Sequence, residues 1–198
     1  MFPLPFTWPL ALGFWLVFAW AFWPEFRVLR EARLAQQSVD AETRDPSYGP
    51  LIMGQRIVMF VAIVVAVFFR RVGMRDHRVT VFLAALLVMI VASLLRRHCF
   101  RMLGRDFQGA VTVRLDQPVV ESGAYRVLRH PSYSAAILLH IGFVLAFTNW
   151  VSLAIVLVFV PPLFIYRISV EERALQQRLG NVYANYMTRT SRLIPGVW

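Results

Sequence analysis

The chain has 198 residues, of which 58% are hydrophobic and 16% are charged, and its formal net charge is +10. This composition excludes an ordinary soluble domain, because long uncharged segments run through the sequence. The single cysteine, Cys99, excludes an intrachain disulfide framework and an all-cysteine zinc site.

The first uncharged segment, 4–23, predicts a transmembrane helix. Its four tryptophans are typical of permanent anchors at the membrane interface rather than of a cleavable signal peptide. Two further apolar segments, 51–69 and 79–95, predict the second and third spans. Arg56 lies near the polar end of the second span, where its long side chain can reach the membrane surface.

The run 130–166 is uncharged if its two histidines are neutral. A single helix over this run would be nearly twice as long as the roughly 30 Å hydrocarbon core is thick, so the run must contain two spans. Thr148-Asn149-Trp150 is the only turn-like interruption near its middle. The sequence therefore predicts a helical hairpin with spans 131–147 and 150–168. This completes five transmembrane helices in one membrane domain, 1–198.

The connecting segments have distinct compositions. EFRVLREARLAQQ predicts a helix that continues from the first span into the cytosol. The segment 96–130, with a strand-like piece around 111–115, is long enough to predict a structured, site-forming loop. The tail, 169–198, predicts an amphipathic cytosolic helix that Gly180 can interrupt. Its apolar positions at helical spacing are Leu175, Leu179, Val182, Tyr183 and Tyr186.

The distribution of arginine predicts the orientation in the membrane. All 21 basic residues are arginine; 17 lie in the segments that five spans place on one side, and four lie on the other. The positive-inside rule then predicts a cytosolic C-terminus. The four remaining arginines, at positions 70, 71, 75 and 78, run against the rule. Because the basic residues cluster between spans, a nucleic-acid partner is not expected.

Arg167 and Glu171 are four residues apart and therefore share one face of a helix. The simpler interpretation is a solvated salt bridge of little energetic weight. The alternative is an intramembrane site, because Arg167 follows an apolar run whose Pro161-Pro162 pair is expected to kink or open the helix.

YRVLRHPSY, 125–133, precedes the hairpin and lies on the same membrane face as the tail. Pro131 suits the first turn of a helix, and the free N–H groups there favour an anionic ligand group beside His130; a helix cap and interfacial anchor is the alternative. Arg126 and Arg129 are expected to be interface anchors. His140 is expected to form a hydrogen bond between helices, and no metal site is expected.

Motifs of common soluble enzymes do not occur in the sequence. There is no GxGxxG, P-loop, GxSxG or HExxH pattern, so neither a Rossmann cofactor site nor a serine hydrolase or zinc protease is indicated.

Five motifs resemble the isoprenylcysteine carboxyl methyltransferase family and its bacterial relatives. In chain order they are LGRDF, VVESGAYRVLRHPSY, RISVEERAL, LGNVYANY and RLIPG. The resemblance extends from near Leu103 to Trp198. Ala135 replaces a glycine frequent in relatives, and Ala124 replaces the usual proline before Tyr125.

The resemblance implies an all-α integral membrane protein with a cytosolic loop and tail that bind S-adenosylmethionine. Carried over by position, the cofactor contacts are Gln117, Pro118, Val119, Val120, Tyr125, His130, Pro131, Ser132, Tyr133 and Glu171. Arg167 corresponds to the arginine assigned to the carboxylate of the substrate, and Arg167 and Glu171 are the expected catalytic pair. His130 and the helix start would suit the methionine carboxylate, and Tyr125 or Tyr133 would line the nucleoside pocket.

The implied activity is methyl transfer to a lipophilic acceptor, such as the carboxylate of an isoprenylcysteine or of another lipid-tailed compound. A small thiol and a phospholipid amine stay open as acceptors, although Arg167 favours an anionic acceptor over an amine. Because all basic residues are arginine, a GC-rich bacterial genome is indicated. The expected protein is therefore a multi-pass protein of a bacterial inner membrane, surrounded by membrane lipids, with its active site facing the cytoplasm. Two alternatives stay open at this point: an NADPH-dependent membrane reductase of the sterol-reductase type, and a non-catalytic protein of the same fold.

Overall fold

The computed structural model describes residues 2–37, 45–74, 76–104 and 119–197. Within these ranges the chain is helical, and its only β-type pairings are two isolated bridges, Gly73–Asn149 and Leu128–Ser191. The predicted all-α class is confirmed for the described residues. The α-helices, numbered here in chain order, are α1 Leu10–Gln37, α2 Tyr48–Phe68, α3 Arg78–Leu103, α4 Pro131–Leu145, α5 Trp150–Leu179 and α6 Asn181–Arg189.

Four of these helices, α1, α2, α3 and α5, are long and apolar enough to cross a membrane. The remaining apolar helix, α4, has 15 residues, and at 1.5 Å per residue it is about 22 Å long, less than the ~30 Å hydrocarbon core. It stops at Leu145 because the chain reverses there, with Thr148 in the left-handed region at φ 51°. The side chain of Asn149 then caps α5 by accepting a hydrogen bond from the Ser152 N–H at 3.1 Å.

Helix α5 is much longer than the predicted span 150–168, because it remains helical as far as Leu179. The Pro161-Pro162 pair, expected to open the helix, lies inside it without interrupting the helix. Flanking residues hold the helix on both sides of the pair, since Val160 and Phe164 are buried against α2 and α4. Arg167 therefore lies in the middle of a continuous helix and not at the end of a broken one.

Aromatic side chains from α1, α3 and α4 form the centre of the bundle. The Phe14 ring lies 5.7 Å from Phe143 and 6.4 Å from Phe82. Two buried serines add hydrogen bonds between helices: Ser93 donates to the Ala21 carbonyl at 3.0 Å, and Ser152 donates to the Ala62 carbonyl at 2.8 Å. Such bonds help membrane helices associate, because lipid offers no competing polar group.

The tail folds back on the start of α4. Gly180, at φ +53°, ends α5 as the sequence predicted, and α6 then buries Tyr183 and Tyr186. After α6, the Arg129 N–H donates to the Ser191 carbonyl at 2.7 Å, and the His130 N–H donates to the Arg192 carbonyl at 3.1 Å. The tail is thus attached to the segment that precedes the hairpin.

We expect Gly142→Ala to destabilise the bundle. A Cβ at this position would lie 2.9 Å from Met89 Cγ and 3.1 Å from the Met89 backbone nitrogen, so α3 and α4 would have to separate. Overpacking of this kind costs about 1–3 kcal/mol, which exceeds the helix-propensity gain of about 0.5–1 kcal/mol. Thermal unfolding in detergent measures the loss. Gly13→Ala in α1 is the matched control, because nothing lies within 4 Å of its Cβ; an equal loss there would contradict the packing explanation.

Candidate functional site

A buried guanidinium lies at the centre of the predicted site. The side chain of Arg167 is 2% exposed, and its Nη1 forms an ion pair with the Asp45 carboxylate and donates to Ser47 Oγ at 2.8 Å. Its Nε donates to the Tyr133 hydroxyl at 3.2 Å, and that hydroxyl donates to Glu171 Oε2 at 2.6 Å. We call these five residues, Asp45, Ser47, Tyr133, Arg167 and Glu171, the Arg167 centre.

Three chain segments build the Arg167 centre. Arg167 and Glu171 project from the same face of α5, and Tyr133 comes from the first turn of α4. Asp45 and Ser47 form a turn before α2, in which the Ser47 N–H and hydroxyl both donate to Asp45 Oδ1, at 2.9 and 2.6 Å. The expectation that the hairpin brings 130–133 beside Arg167 and Glu171 is confirmed by these contacts.

Sequence reasoning missed the pairing of Arg167 with Asp45. Spacing along α5 suggested Glu171 as its partner; in the structure Tyr133 links Arg167 to Glu171, and the ion pair runs to Asp45, 122 residues away. No periodicity relates two residues at that separation. The one available signal is chemical, since a buried guanidinium requires a buried carboxylate.

A second buried arginine, Arg96, lies beside the Arg167 centre. It pairs with Glu25 through Nε and Nη2, and its Nη1 donates at 2.7 Å to both the carbonyl and the hydroxyl of Ser132. Sequence reasoning missed this pair too, although Glu25 and Arg96 are the first charged residues after two predicted spans. The pair attaches α1 and α3 to the start of α4.

Glu172 organises a third polar cluster, which attaches the tail to the start of α4. Its carboxylate accepts from Arg129 Nε at 2.8 Å and from Arg192 Nε at 2.9 Å, and it lies 3.3 Å from His130 Nε2. Arg129 also donates to the carbonyls of Met187 and Thr190. The expectation that Arg129 is an interface anchor is therefore wrong: its charge is satisfied inside the protein. Arg126, by contrast, is exposed.

His130 and Pro131 take the predicted places at the start of α4. Pro131 is the first helical residue, and the His130 carbonyl accepts the N–H groups of Tyr133 and Ser134. The His130 ring stacks on the Tyr133 ring, with centroids 5.6 Å apart. His140 differs from the expectation: its Nδ1 lies 2.7 Å from the Ala136 carbonyl of its own helix, and among the described residues no hydrogen bond joins it to another helix.

Tyr125 contributes the one buried polar side-chain atom that lacks a hydrogen-bond partner in the described part of the chain. Its hydroxyl lies beside the Cys99 thiol, and its carbonyl accepts from the Tyr186 hydroxyl at 2.7 Å. Burial raises the pKa of Tyr125, and it raises the pKa of Tyr186 to about 12, so both phenols remain donors near neutral pH. Val119 and Val120 are half-buried nearby in sequence. The predicted contacts Gln117 and Pro118, and the strand-like piece 111–115, lie outside the described residues.

A small cavity of about 60 Å³ adjoins the Arg167 centre. Half of its lining residues are apolar side chains of α1, α2, α4 and α5, and both buried arginines, Arg96 and Arg167, also line it. The lining residues are Glu25, Val28, Leu29, Ala32, Tyr48, Leu51, Ile52, Gln55, Arg96, Tyr133, Ala136, His140, Phe164 and Arg167.

The sequence model of the isoprenylcysteine carboxyl methyltransferase (ICMT) family matches residues 84–177. The predicted resemblance to this family is confirmed. The match begins inside α3, earlier than the predicted start near Leu103, and it ends before α6. It includes Tyr125, the start of α4, and the α5 residues Arg167 and Glu171.

Two proteins of Arabidopsis thaliana are similar to this chain over 114 residues. Protein-S-isoprenylcysteine O-methyltransferase B is 31% identical and protein-S-isoprenylcysteine O-methyltransferase A is 30% identical. In both cases the aligned region covers 57% of this chain and 58% of the relative, so the chain spans little more than half the length of these ICMT-family proteins.

The fold matches a solved structure of the eukaryotic intramembrane Ras methyltransferase ICMT. The two chains are 22% identical, with a TM-score of 0.62, and the match covers 93% of this chain and 66% of the other. The protein therefore has the helical membrane fold of that ICMT structure. The alternative of an NADPH-dependent membrane reductase is not favoured by any of these similarities.

We expect Glu172→Gln to destabilise the tail and the start of α4. The substitution leaves the buried Arg129 without its counter-charge, and loss of one partner from a buried ion pair costs about 3 kcal/mol or more. Thermal unfolding in detergent and limited proteolysis of the tail measure the effect. Glu121→Gln is the control, because the Glu121–Arg189 pair is exposed and contributes at most about 1 kcal/mol. Equal effects of the two substitutions would contradict a structural role for the Glu172 cluster.

Proposed function

We propose that this protein transfers a methyl group from S-adenosylmethionine to the carboxylate of an isoprenylcysteine or of another lipid-tailed acceptor. The observation that carries the proposal is the Tyr133 hydroxyl, which joins Arg167 to Glu171 beside a cavity lined by both polar and apolar side chains. The ICMT-family match over 84–177 and the shared fold support it.

The described residues fit S-adenosylmethionine on one structural criterion. The Tyr125 hydroxyl is buried beside the Cys99 thiol, which is only a weak hydrogen-bond partner, so this hydroxyl fits a bound polar ligand. When bound, the cofactor supplies an electrophilic methyl group on a positively charged sulfonium. The residues proposed to hold it are Gln117, Pro118, Val119, Val120, Tyr125, His130, Pro131, Ser132, Tyr133 and Glu171.

The chain has to orient the acceptor carboxylate and exclude water from it. A carboxylate is already ionised, so methyl transfer to it requires no general base, and positioning supplies most of the rate. We assign the carboxylate to Arg167, whose planar fork suits it. Asp45 keeps the buried guanidinium paired, and Tyr133 holds its plane against α4. Glu171 fixes the Tyr133 hydroxyl from the opposite side.

The cavity has room for only a small part of the acceptor. At about 60 Å³ the cavity is far smaller than the roughly 300–1,000 Å³ of a typical ligand pocket. We therefore assign it to the reacting end of the acceptor and expect the lipid tail to pass between helices into the bilayer.

The partners proposed are a lipophilic or prenylated acceptor and membrane lipids. By the positive-inside rule, the site faces the cytoplasm of a multi-pass membrane protein, with a bacterial inner membrane as its proposed location.

A ligand-binding measurement tests the proposal against its alternatives. We expect S-adenosylhomocysteine to raise the unfolding temperature of the detergent-solubilised protein and NADPH to leave it unchanged. Stabilisation by NADPH alone would support a reductase, and stabilisation by neither would support a non-catalytic protein. Transfer of a labelled methyl group from S-adenosylmethionine into a lipid extract then identifies the acceptor class.

We expect Tyr133→Phe to reduce turnover about tenfold to a hundredfold while S-adenosylhomocysteine binding changes little. The substitution keeps the ring stacked on His130 but removes the oxygen that positions Arg167, and small errors of position cost rates of this order. Methyl-transfer kinetics and the thermal shift separate the two effects. Tyr166→Phe, at an exposed tyrosine of α5, is the control. Unchanged turnover in Tyr133→Phe would refute the role given to this hydroxyl.

A further inference from the structure

A second cavity, of about 300 Å³, lies at the end of the bundle opposite the Arg167 centre. Helix α2 begins beside that centre and ends beside this cavity, and its 21 residues correspond to about 30 Å. We call it the Arg70–Arg78 cavity. It is lined by Pro3, Ala66, Arg70, Gly73, Met74, Arg78, Phe147, Thr148 and Asn149.

The two arginines of this cavity have only neutral partners in the described chain. Arg70 Nε donates to the Val67 carbonyl at 2.9 Å, and its guanidinium lies 4.8 Å from the centre of the Phe2 ring. Arg78 donates to Thr148 Oγ1 at 3.3 Å and to the Phe2 carbonyl. No described carboxylate forms an ion pair with either one. Both retain positive charge that no carboxylate of the described residues neutralises, unlike Arg96 and Arg167.

The backbone around the cavity is held in an unusual conformation. His77 and Thr148, at φ 52° and 51°, are the non-glycine residues of the described chain with positive φ, and both flank Arg78. Non-glycine residues in this left-handed region are strained, and such residues concentrate at ligand-binding sites. Cross-links hold the arrangement: the Met74 N–H donates to the Thr148 carbonyl at 2.7 Å, and the Asn149 amide donates to the Phe69 carbonyl at 3.1 Å.

Exposed aromatic residues place this cavity at the level of the lipid headgroups. Trp8, Phe68, Phe69 and Trp150 belong to the same end of the bundle and are each more than half exposed. Tryptophan is enriched at the membrane–water interface, where its ring lies at headgroup level. Ala66, Met74 and Phe147 make one wall of the cavity apolar, so it offers both a charged and an apolar surface.

We propose that the Arg70–Arg78 cavity binds the phosphate of an anionic phospholipid. Two guanidinium groups can grip the phosphate oxygens through charge-assisted hydrogen bonds, and the apolar wall contacts the glycerol and upper acyl chain. A bound anion also neutralises the basic loop 70–78, whose four arginines are accompanied by one aspartate. This accounts for a basic segment on the face where the positive-inside rule expects few arginines. The inference does not depend on the proposed methyl transfer.

Lipid titration of the purified full chain in neutral detergent tests the site. We expect phosphatidylglycerol to raise the unfolding temperature, and phosphatidylcholine or inorganic phosphate at the same concentration to raise it much less. Substituting both arginines, Arg70→Gln with Arg78→Gln, should weaken the apparent phosphatidylglycerol affinity by about tenfold or more. Arg101→Gln with Arg126→Gln removes the same charge from exposed positions at the other end and is the matched control.

Three results would overturn the proposal. Equal stabilisation by phosphatidylcholine would remove the requirement for an anionic lipid, and equal stabilisation by inorganic phosphate would make this a free-phosphate site. An equal loss of phosphatidylglycerol affinity in the control variant would mean that net charge alone explains the effect. If the Arg70/Arg78 variant does not fold, native mass spectrometry of the wild-type chain in mixed lipid decides: selective retention of phosphatidylglycerol supports the site, and equal retention of both lipids overturns it.

Discussion

The burial of the Arg167 guanidinium is the constraint on which the rest of this structure depends. A cation in an apolar helical bundle is tolerated only when it is paired and hydrogen-bonded. Asp45 and Ser47 meet that requirement from the turn before α2, and Tyr133 meets it from the start of α4. One side chain of α5 therefore fixes the relative positions of three segments, and α2, α4 and α5, together with α1 and Arg96 of α3, line the cavity beside it.

The other two polar clusters attach further segments to the start of α4. The Arg96–Glu25 pair attaches α1 and α3 to Ser132, and the Glu172 cluster attaches the tail through Arg129 and Arg192. The segment 129–133 is common to both clusters and to the Arg167 centre. This short stretch at the start of α4 thus forms hydrogen bonds with α3, α5 and the tail, which gives it the rigidity that positioning a reactive group requires.

The arginines at the two ends of the bundle have different kinds of partner. At the end with the predicted site, the buried Arg96, Arg129 and Arg167 are paired with carboxylates supplied by the protein. At the opposite end, Arg70 and Arg78 contact only neutral groups of the described chain. The first arrangement keeps a polar site stable inside an apolar bundle, and the second leaves charge for a ligand from outside the chain.

The sequence by itself determined the all-α class, the positions of the apolar helices, the hairpin turn at Thr148–Trp150 and the helix end at Gly180. These features follow from hydropathy and local backbone preference, which neighbouring residues control. It also indicated that Tyr133, Arg167 and Glu171 lie together, because the predicted hairpin returns the chain to the same membrane face. Only the tertiary structure decided that Asp45 pairs with Arg167, that Arg129 points inward to Glu172, and that α5 continues through two prolines. Those outcomes depend on which distant side chains the packing brings within reach of a buried charge, and no local pattern carries that information.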